Sequence, residues 1–479
     1  MQFFPIKLNS ELPAPLYRQL ADAFRDAVST GLLKQGDIVP TTRKLSETLG
    51  VSRQTVISAY ELLVSQNVLQ TSSSGTTVLA APDIKSAQPG PSDQPHVDFS
   101  SRISVFAKRA CQLGEPSELE DFSTGAPPIS QFPIKLWRRH LAKHALRNSE
   151  LLQPSQDSFG LRALRDAIAG YLGRAQGIAC SGEQISIHSG GHPTLEFIVK
   201  LLIDPGDRVV VEDPGNAGSR RIFSAHQAEL IPVPVDSDGI DVEKLFAIKD
   251  DVKLLFISPS HQQPTGAVLS PSRRDALLNW ANERDVIIIE NHYDSEFRYT
   301  SRPMPALFGS NNQRVIYMST FWKVLGPVVR NGFTVLPKDL LPVAKSVRQV
   351  AERDALSLIE QHAMADFIED GDLERTIKRN KTVYLERRNV LIAALGDRLS
   401  RHVYFSKEAA GLHQYIRFDD YKTQTEIMEL ARAAALPLIP IDSYYLNPRI
   451  SNEYVVPFAQ MTPREINDSV QSFTQGFFS

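Results

Sequence analysis

Cysteine is almost missing: Cys111 and Cys180 are the only two among 479 residues, and neither has a metal-ligand neighbour at short spacing. A disulfide framework and a cysteine-based metal site are both argued against. Long apolar runs are missing too. No stretch approaches the roughly twenty apolar residues of a membrane span, and the opening MQFFPIKLNS loses its apolar character too early for a signal peptide. There is no excess of positive charge, since 52 Lys and Arg face 55 Asp and Glu for a net of −3. That excludes a globally basic nucleic-acid binder but leaves room for a small basic face. Internal repeats are absent. What is present, 42% hydrophobic and 22% charged residues, is ordinary for a soluble globular chain, and its length demands two or more cores. A cytoplasmic protein is the expectation.

The first eighty residues have their own grammar. In APLYRQLADAFRDAVSTGL, residues 14–32, Leu16, Leu20, Phe24, Ala27 and Val28 share one helical face. Next, Thr41 or Thr42 caps a short helix burying Leu45 and Leu49, Gly50 ends it, and Ser52 caps a second helix burying Val56, Tyr60 and Leu63. A short helix, a glycine turn and a second helix make a helix-turn-helix. TSSSGTTVLA, residues 71–80, then reads as a tight hairpin, a candidate wing. On the second helix the first turn presents Ser52, Arg53, Gln54 and Thr55, where a recognition helix reaches base edges. Arg43 and Lys44, at the start of the preceding helix, are placed for phosphate. Such shapes also occur in proteins that never touch DNA, with the polar residues as a solvated face.

Residues 80–97, rich in Pro, Gly, Ser, Asp and Gln, read as a semi-extended linker between a module at 10–79 and a second part at 98–479. There the texture becomes β/α. QISIH, RVVVE, KLLFIS, VIIIE, VIYMS and GFTVL alternate with helical patterns, which predicts a parallel sheet covered on both faces over about 120–345. Long helices, GLHQYIRF and YVVPFA predict a smaller α+β part over about 346–479.

Chemistry-bearing residues gather at the strand ends. Lys323 follows VIYMS, where a lysine can form a Schiff base to an aldehyde cofactor at the carboxyl edge of an α/β sheet. Thr320 and Arg330 flank it with groups suited to a phosphate. Gly190 and Gly191, at a strand-to-helix junction, offer backbone N–H groups to the same phosphate. SPSHQQPTG, with Gln263, is a further strand end. Each signal alone is poor, since a lone lysine is usually solvated and a Gly-Gly turn usually just a turn; their order along the β/α units carries the weight.

PLYRQL, GDIVPTTRKLSETLGVSRQTVISAYELL and GTTV resemble the winged helix-turn-helix of GntR-type regulators. DFSTGAPPISQFPIKLWRR, LIDPGDRVVVEDPG, PSHQQPTG and YDSEFRY extend the resemblance to the C-terminus. As a whole the chain resembles the MocR branch, in which a winged helix is fused to a fold-type I aminotransferase-like domain that binds pyridoxal 5′-phosphate (PLP). The resemblance implies Lys323 as the Schiff-base lysine, Arg330 as the phosphate arginine and Tyr293 as the partner of the cofactor's phenolic oxygen. It also implies homodimers, head-to-tail in this branch, and a double-stranded DNA operator.

Departures cluster in the same place. In IIIENHYDSEF, Asn291 stands where the family carries the aspartate that holds a proton on the cofactor's ring nitrogen. Asn216 replaces an aromatic residue near the ring, Trp322 a small one, Gln263 an asparagine, and Ser451 a carboxylate-binding arginine, with Arg449 nearby. The wing lacks its usual basic residue. Three readings follow. One is a regulator that binds PLP through Lys323 and senses PLP or an amino-compound effector. Another is a regulator whose degenerate pocket no longer binds PLP. The third is a working aminotransferase, disfavoured by the loss of both the ring-nitrogen acid and the substrate arginine, so that an enzyme is not expected.

Overall fold

The computed structural model describes residues 6–73, 75–79, 102–113, 125–145, 157–294, 296–299, 305–310, 313–351, 357–406, 410–419, 421–447 and 450–478. The chain divides into two compact units, Met1–Ser101 and Arg102–Ser479. The expected linker, residues 80–97, lies outside the described residues. Among the described residues no helix is long and apolar enough to cross a membrane.

The first unit is three helices and a hairpin. α1 (Leu16–Ser29), α2 (Thr42–Leu49) and α3 (Arg53–Ser65) precede β1 (Leu69–Ser72) and β2 (Gly75–Val78), which pair antiparallel. The caps explain the turn. Thr41 accepts a hydrogen bond from the Lys44 N–H, Gly50 takes the left-handed conformation (φ 65°), and Ser52 accepts from the Thr55 N–H. Leu20, Phe24, Leu45, Val56, Tyr60, Leu63, Leu69 and Val78 close one small core.

The second unit is built on an eight-stranded sheet of order β3-β10-β9-β8-β7-β4-β5-β6. Its strands are β3 (Ile185–His188), β4 (Arg208–Asp213), β5 (Glu229–Asp236), β6 (Gly239–Ile240), β7 (Leu254–Ile257), β8 (Ile287–His292), β9 (Val315–Thr320) and β10 (Gly332–Val335). Alternation along each strand feeds two cores: Val209, Val211, Phe256, Ile289 and Met318 on one face, Val210, Leu255, Ile257 and Ile288 on the other.

Two strands, β10 and the short β6 that pairs antiparallel with β5, correct the wholly parallel expectation. GFTVL forms β10, which runs antiparallel to both β3 and β9. The link between β9 and β10, residues 321–331, stays at the sheet's edge and never crosses a face as a parallel connection must. The unforeseen β5, ELIPVPVD, holds Pro232 and Pro234. It pairs with β4 on one side and with β6 only through Val235 and Asp236, which leaves the prolines on an open edge where a missing N–H costs nothing.

The C-terminal part has a four-stranded antiparallel sheet, β11 (Val403–Phe405), β12 (Gln414–Phe418), β14 (Glu453–Val456) and β13 (Ile439–Pro440) in that order. Helices Asp372–Leu399 and Pro463–Phe477 bury Leu391, Leu395, Val470 and Phe473 in the same core as its Ile416 and Phe418.

Candidate functional site

The start of α3 presents Ser52, Arg53 and Gln54 to solvent, with Thr55 half-buried, and Arg43 and Lys44 are exposed at the start of α2. Ser52 and Thr55 are joined to each other, the Ser52 hydroxyl accepting the Thr55 N–H at 3.1 Å, so their side chains define the helix start. Arg53 Nε donates to the Thr42 hydroxyl at 3.4 Å and Arg43 Nε to Glu47 at 3.2 Å. The Arg43–Glu47 pair is exposed and of the weak i,i+4 kind, so it holds the Arg43 side chain only loosely.

In the second unit the carboxyl ends of β3, β4, β7, β8 and β9 point to one edge of the sheet, joined there by the amino end of β10. A pocket of about 270 Å³ opens at that edge. All eight residues singled out from the sequence as cofactor contacts line it: Gly190 and Gly191 after β3, Gln263 after β7, Asn291 and Tyr293 at the end of β8, Thr320 and Lys323 after β9, and Arg330 before β10. The departures Asn216 and Trp322 line it as well.

Local structure places each group. Gly190 (φ 117°) turns the chain from β3 into helix Gly191–Leu202, whose first N–H groups face the pocket end. A Cβ on Gly332 would sit 2.6 Å from the Gly190 carbonyl oxygen, so only glycine allows β10 to approach so closely. The Thr320 hydroxyl accepts the Trp322 N–H at 3.2 Å and donates to the Asn331 carbonyl at 3.4 Å, which fixes the turn that delivers Lys323. Lys323 is buried. Its Nζ donates to the Gly125 carbonyl at 3.3 Å and lies 4.7 Å from the Trp322 ring and 5.4 Å from the Tyr293 ring. Trp322 thus forms a wall beside the ammonium group, an arrangement favourable to a cation. Arg330 is exposed at the rim, and its backbone N–H bonds the Glu360 carboxyl, whose pKa burial raises.

The period of two in β8 answers the oddity of ENH. Asn291 shares a face with Ile289 and looks into the pocket, where its Nδ2 donates to the Ser258 hydroxyl at 3.2 Å. His292 points to the other face, against the Tyr317 ring, and burial holds its imidazole down at about 4, so it is a neutral core group. Glu290, on that same far face, accepts the N–H groups of Leu307 and Phe308.

Sequence reasoning missed a layer behind the pocket. His261 Nδ1 bonds Asp294 at 2.7 Å, both buried, and the Tyr293 hydroxyl lies 3.4 Å from the same nitrogen. Burial raises the Asp294 carboxyl, but His261, with His413 and Lys323, brings it below its ordinary range, so it is ionised. It also missed His192, Gly218 and Tyr444 in the lining. His192 follows the Gly-Gly turn and was open to the same reasoning as Gly191. Tyr444 was not legible. It arrives from the C-terminal part, held by the Gly215 N–H on its carbonyl and by the Leu446 N–H on Asp213. Ser451 does not line the pocket; its N–H and hydroxyl both bond Asp442, which Gln424 also holds. Arg449 lies outside the described residues.

The fold and the site define a class: a winged helix-turn-helix and a fold-type I aminotransferase-like domain in one chain. Residues 16–78 match the bacterial regulatory proteins of the gntR family, and residues 117–472 match aminotransferase class I and II. The chain is 31% identical over 477 residues to the probable rhizopine catabolism regulatory protein MocR of Rhizobium meliloti, covering 98% of this chain and 96% of that protein. It is 32% identical over 394 residues, 82% of each chain, to the HTH-type pyridoxine biosynthesis transcriptional regulator PdxR of Corynebacterium glutamicum. In fold it is similar to the α-aminoadipate aminotransferase LysN of Thermus thermophilus, solved with N-(5′-phosphopyridoxyl)-L-leucine. The TM-score is 0.71 at 22% identity, covering 80% of this chain and 98% of that one. The chain belongs to the MocR-type GntR regulators.

Proposed function

We propose that this DNA-binding regulator takes PLP into the pocket at the carboxyl edge of its large sheet, attached through Lys323, and senses the cofactor or an amino compound that reacts with it. The observation that carries this reading is the convergence of a buried lysine, a glycine-opened helix N-terminus, Thr320 and Arg330 on one pocket. The donor set fits an aldehyde at one end and a phosphate at the other: one amine nucleophile, and backbone N–H groups with a guanidinium at the rim. When bound, the cofactor supplies an electrophilic aldehyde for primary amines. The chain's own residues do the rest. Trp322 and Tyr293 flank the lysine; Tyr293 and Gln263 would meet the ring substituents, and Asn291 would face the ring nitrogen as a neutral partner. A neutral amide bonds that nitrogen without holding a proton on it, so the residues favour binding over turnover.

In this reading Arg43 and Lys44 touch phosphates and Arg53 and Gln54 read bases, with Ser52 and Thr55 fixing the start of the reading helix. In residues 1–79 the basic side chains barely outnumber the acidic ones, so one module alone holds DNA weakly. A homodimer, head-to-tail as the family resemblance implies, joins two modules on a repeated or palindromic operator and restores affinity through effective concentration. Such a regulator works in the cytoplasm. An effector acts only by binding two arrangements of the protein unequally. Titration of the purified protein with PLP, read by visible absorption beside a Lys323→Ala variant, tests the reading.

A further inference from the structure

His413, directly ahead of β12 in the C-terminal part, is buried. Its Nε2 lies 3.1 Å from the Pro264 carbonyl oxygen, in the turn after β7. A carbonyl only accepts, so Nε2 carries the proton. Burial, then the neighbouring His261, brings the imidazole down to about 4, so the ring is neutral and Nδ1 keeps a bare lone pair. That nitrogen is buried and meets no hydrogen-bond donor among the described residues. An acceptor buried without a donor destabilises the fold, which marks the atom for a use.

Lys323 can supply the donor. Gly125 adopts φ 90°, and a Cβ on it would sit 3.3 Å from Lys323 Nζ and 3.7 Å from His413 Nδ1. The two nitrogens therefore border one small space that glycine keeps open. Nζ lies at its edge, donating to the Gly125 carbonyl at 3.3 Å. An ammonium group has three N–H donors on a flexible four-carbon arm, so it can serve that carbonyl and His413 Nδ1 together. Burial raises Asp294, and His261 first and Lys323 after it bring it down, so an ionised carboxylate faces the same cation.

We propose that His413 is a positioning residue: its Nδ1 and the Gly125 carbonyl form a holding site for the Lys323 ammonium group once an amine effector has taken its place. The effector half of this rests on the PLP reading. An incoming R–NH3+ forms the new C=N bond and the C=N bond to Lys323 breaks. The three protons leaving the effector nitrogen are balanced by three gained on Lys323, and nothing is oxidised or reduced. Charge thus moves onto Lys323, where the site receives it. Holding the released lysine favours displacement by amines and works against the cofactor bound alone, so the site sets how readily the regulator answers an amine.

Two substitutions separate the nitrogens of His413. His413→Asn keeps an acceptor where Nδ1 lies and drops the bond to Pro264; His413→Gln keeps a donor for Pro264 and drops the acceptor. Full-length wild type and both variants are loaded with PLP, titrated with ethylamine and reduced with borohydride. Mass spectrometry then gives the fraction of Lys323 still carrying the cofactor. Half-displacement should need at least roughly tenfold more ethylamine in His413→Gln, the order of one lost hydrogen bond to a charged group, and no more than about twofold more in His413→Asn. Without ethylamine, His413→Gln should bind PLP at least as tightly as wild type. Displacement in His413→Gln as easy as in wild type overturns the proposal. So does a loss in His413→Asn as large as that in His413→Gln, or weaker PLP binding by His413→Gln, since either shows a merely structural role. Wild-type Lys323 that never carries PLP overturns the PLP reading itself, and the proposal with it.

Discussion

Asn291 Nδ2 donates to the Ser258 hydroxyl at 3.2 Å, joining the carboxyl ends of neighbouring strands β8 and β7 in the floor of the pocket. In the proposed PLP complex, the group that would meet the ring nitrogen is thus a neutral amide held by a neutral hydroxyl. Asn291→Asp places a carboxylate at the same point, beside a hydroxyl able to donate to it. The expected outcome is a PLP complex whose visible band moves to longer wavelength and reacts with added amino acids. An unchanged spectrum and no reaction would mean that the amide at position 291 is not what limits turnover, and would point to Trp322 or to the anchoring of the substrate carboxylate.

The roles proposed for Arg53 and Arg43 are separable by experiment. Arg53→Ala removes a base-reading group and should cost about 1–3 kcal/mol of specific affinity, with non-specific binding little changed. Arg43→Ala should weaken all sequences alike and lower the salt dependence by about one unit of log–log slope. Fluorescence anisotropy on operator and scrambled DNA at several salt concentrations checks both. Identical behaviour of the two variants would contradict the division.

Ser52 acts through the helix it starts. Ser52→Ala deletes the acceptor for the Thr55 N–H and should destabilise the first unit by about 1 kcal/mol. Ser52→Asp restores a cap and should recover the stability. It should not recover DNA affinity, because it adds a negative charge where the groove is read. Denaturation and binding measured on the same two variants decide the point.

Glu212, at the end of β4, gives a pH signature. Burial pushes its carboxyl up to about 8, partly offset by the Ser258 N–H and Gln262. The unfolded chain releases this proton near the ordinary 4.5, whereas the folded chain keeps it until about 8. The stability it contributes is therefore complete below the unfolded value and is lost as pH rises toward the folded one, by up to about 1.4 kcal/mol per pH unit. Thermal unfolding of wild type and Glu212→Gln between about pH 6 and 8.5 should diverge, wild type losing more on the alkaline side. Parallel curves would contradict the buried neutral state.

Much of this was legible because local signals and global fold agree. The caps Thr41, Gly50 and Ser52 and the apolar strand runs name their own structures, and the eight pocket residues meet because strand ends of a parallel core share one edge. Less legible were features fixed by distant partners. The direction of β10 depends on a link that stays at the edge. The strand character of ELIPVPVD depends on its open side, and Tyr444 enters the pocket from a segment far along the chain. The hydrogen bond from Asn216 to Gln263, 47 residues apart, is likewise set only by the fold.

The proposed function depends above all on Lys323 holding PLP in this pocket. The most direct measurement is the visible absorption of the purified full-length protein before and after addition of PLP, beside Lys323→Ala. The expected result is a yellow band that saturates with PLP in the wild type and does not form in the variant. A wild-type protein that stays colourless, or a band that survives in Lys323→Ala, would contradict it.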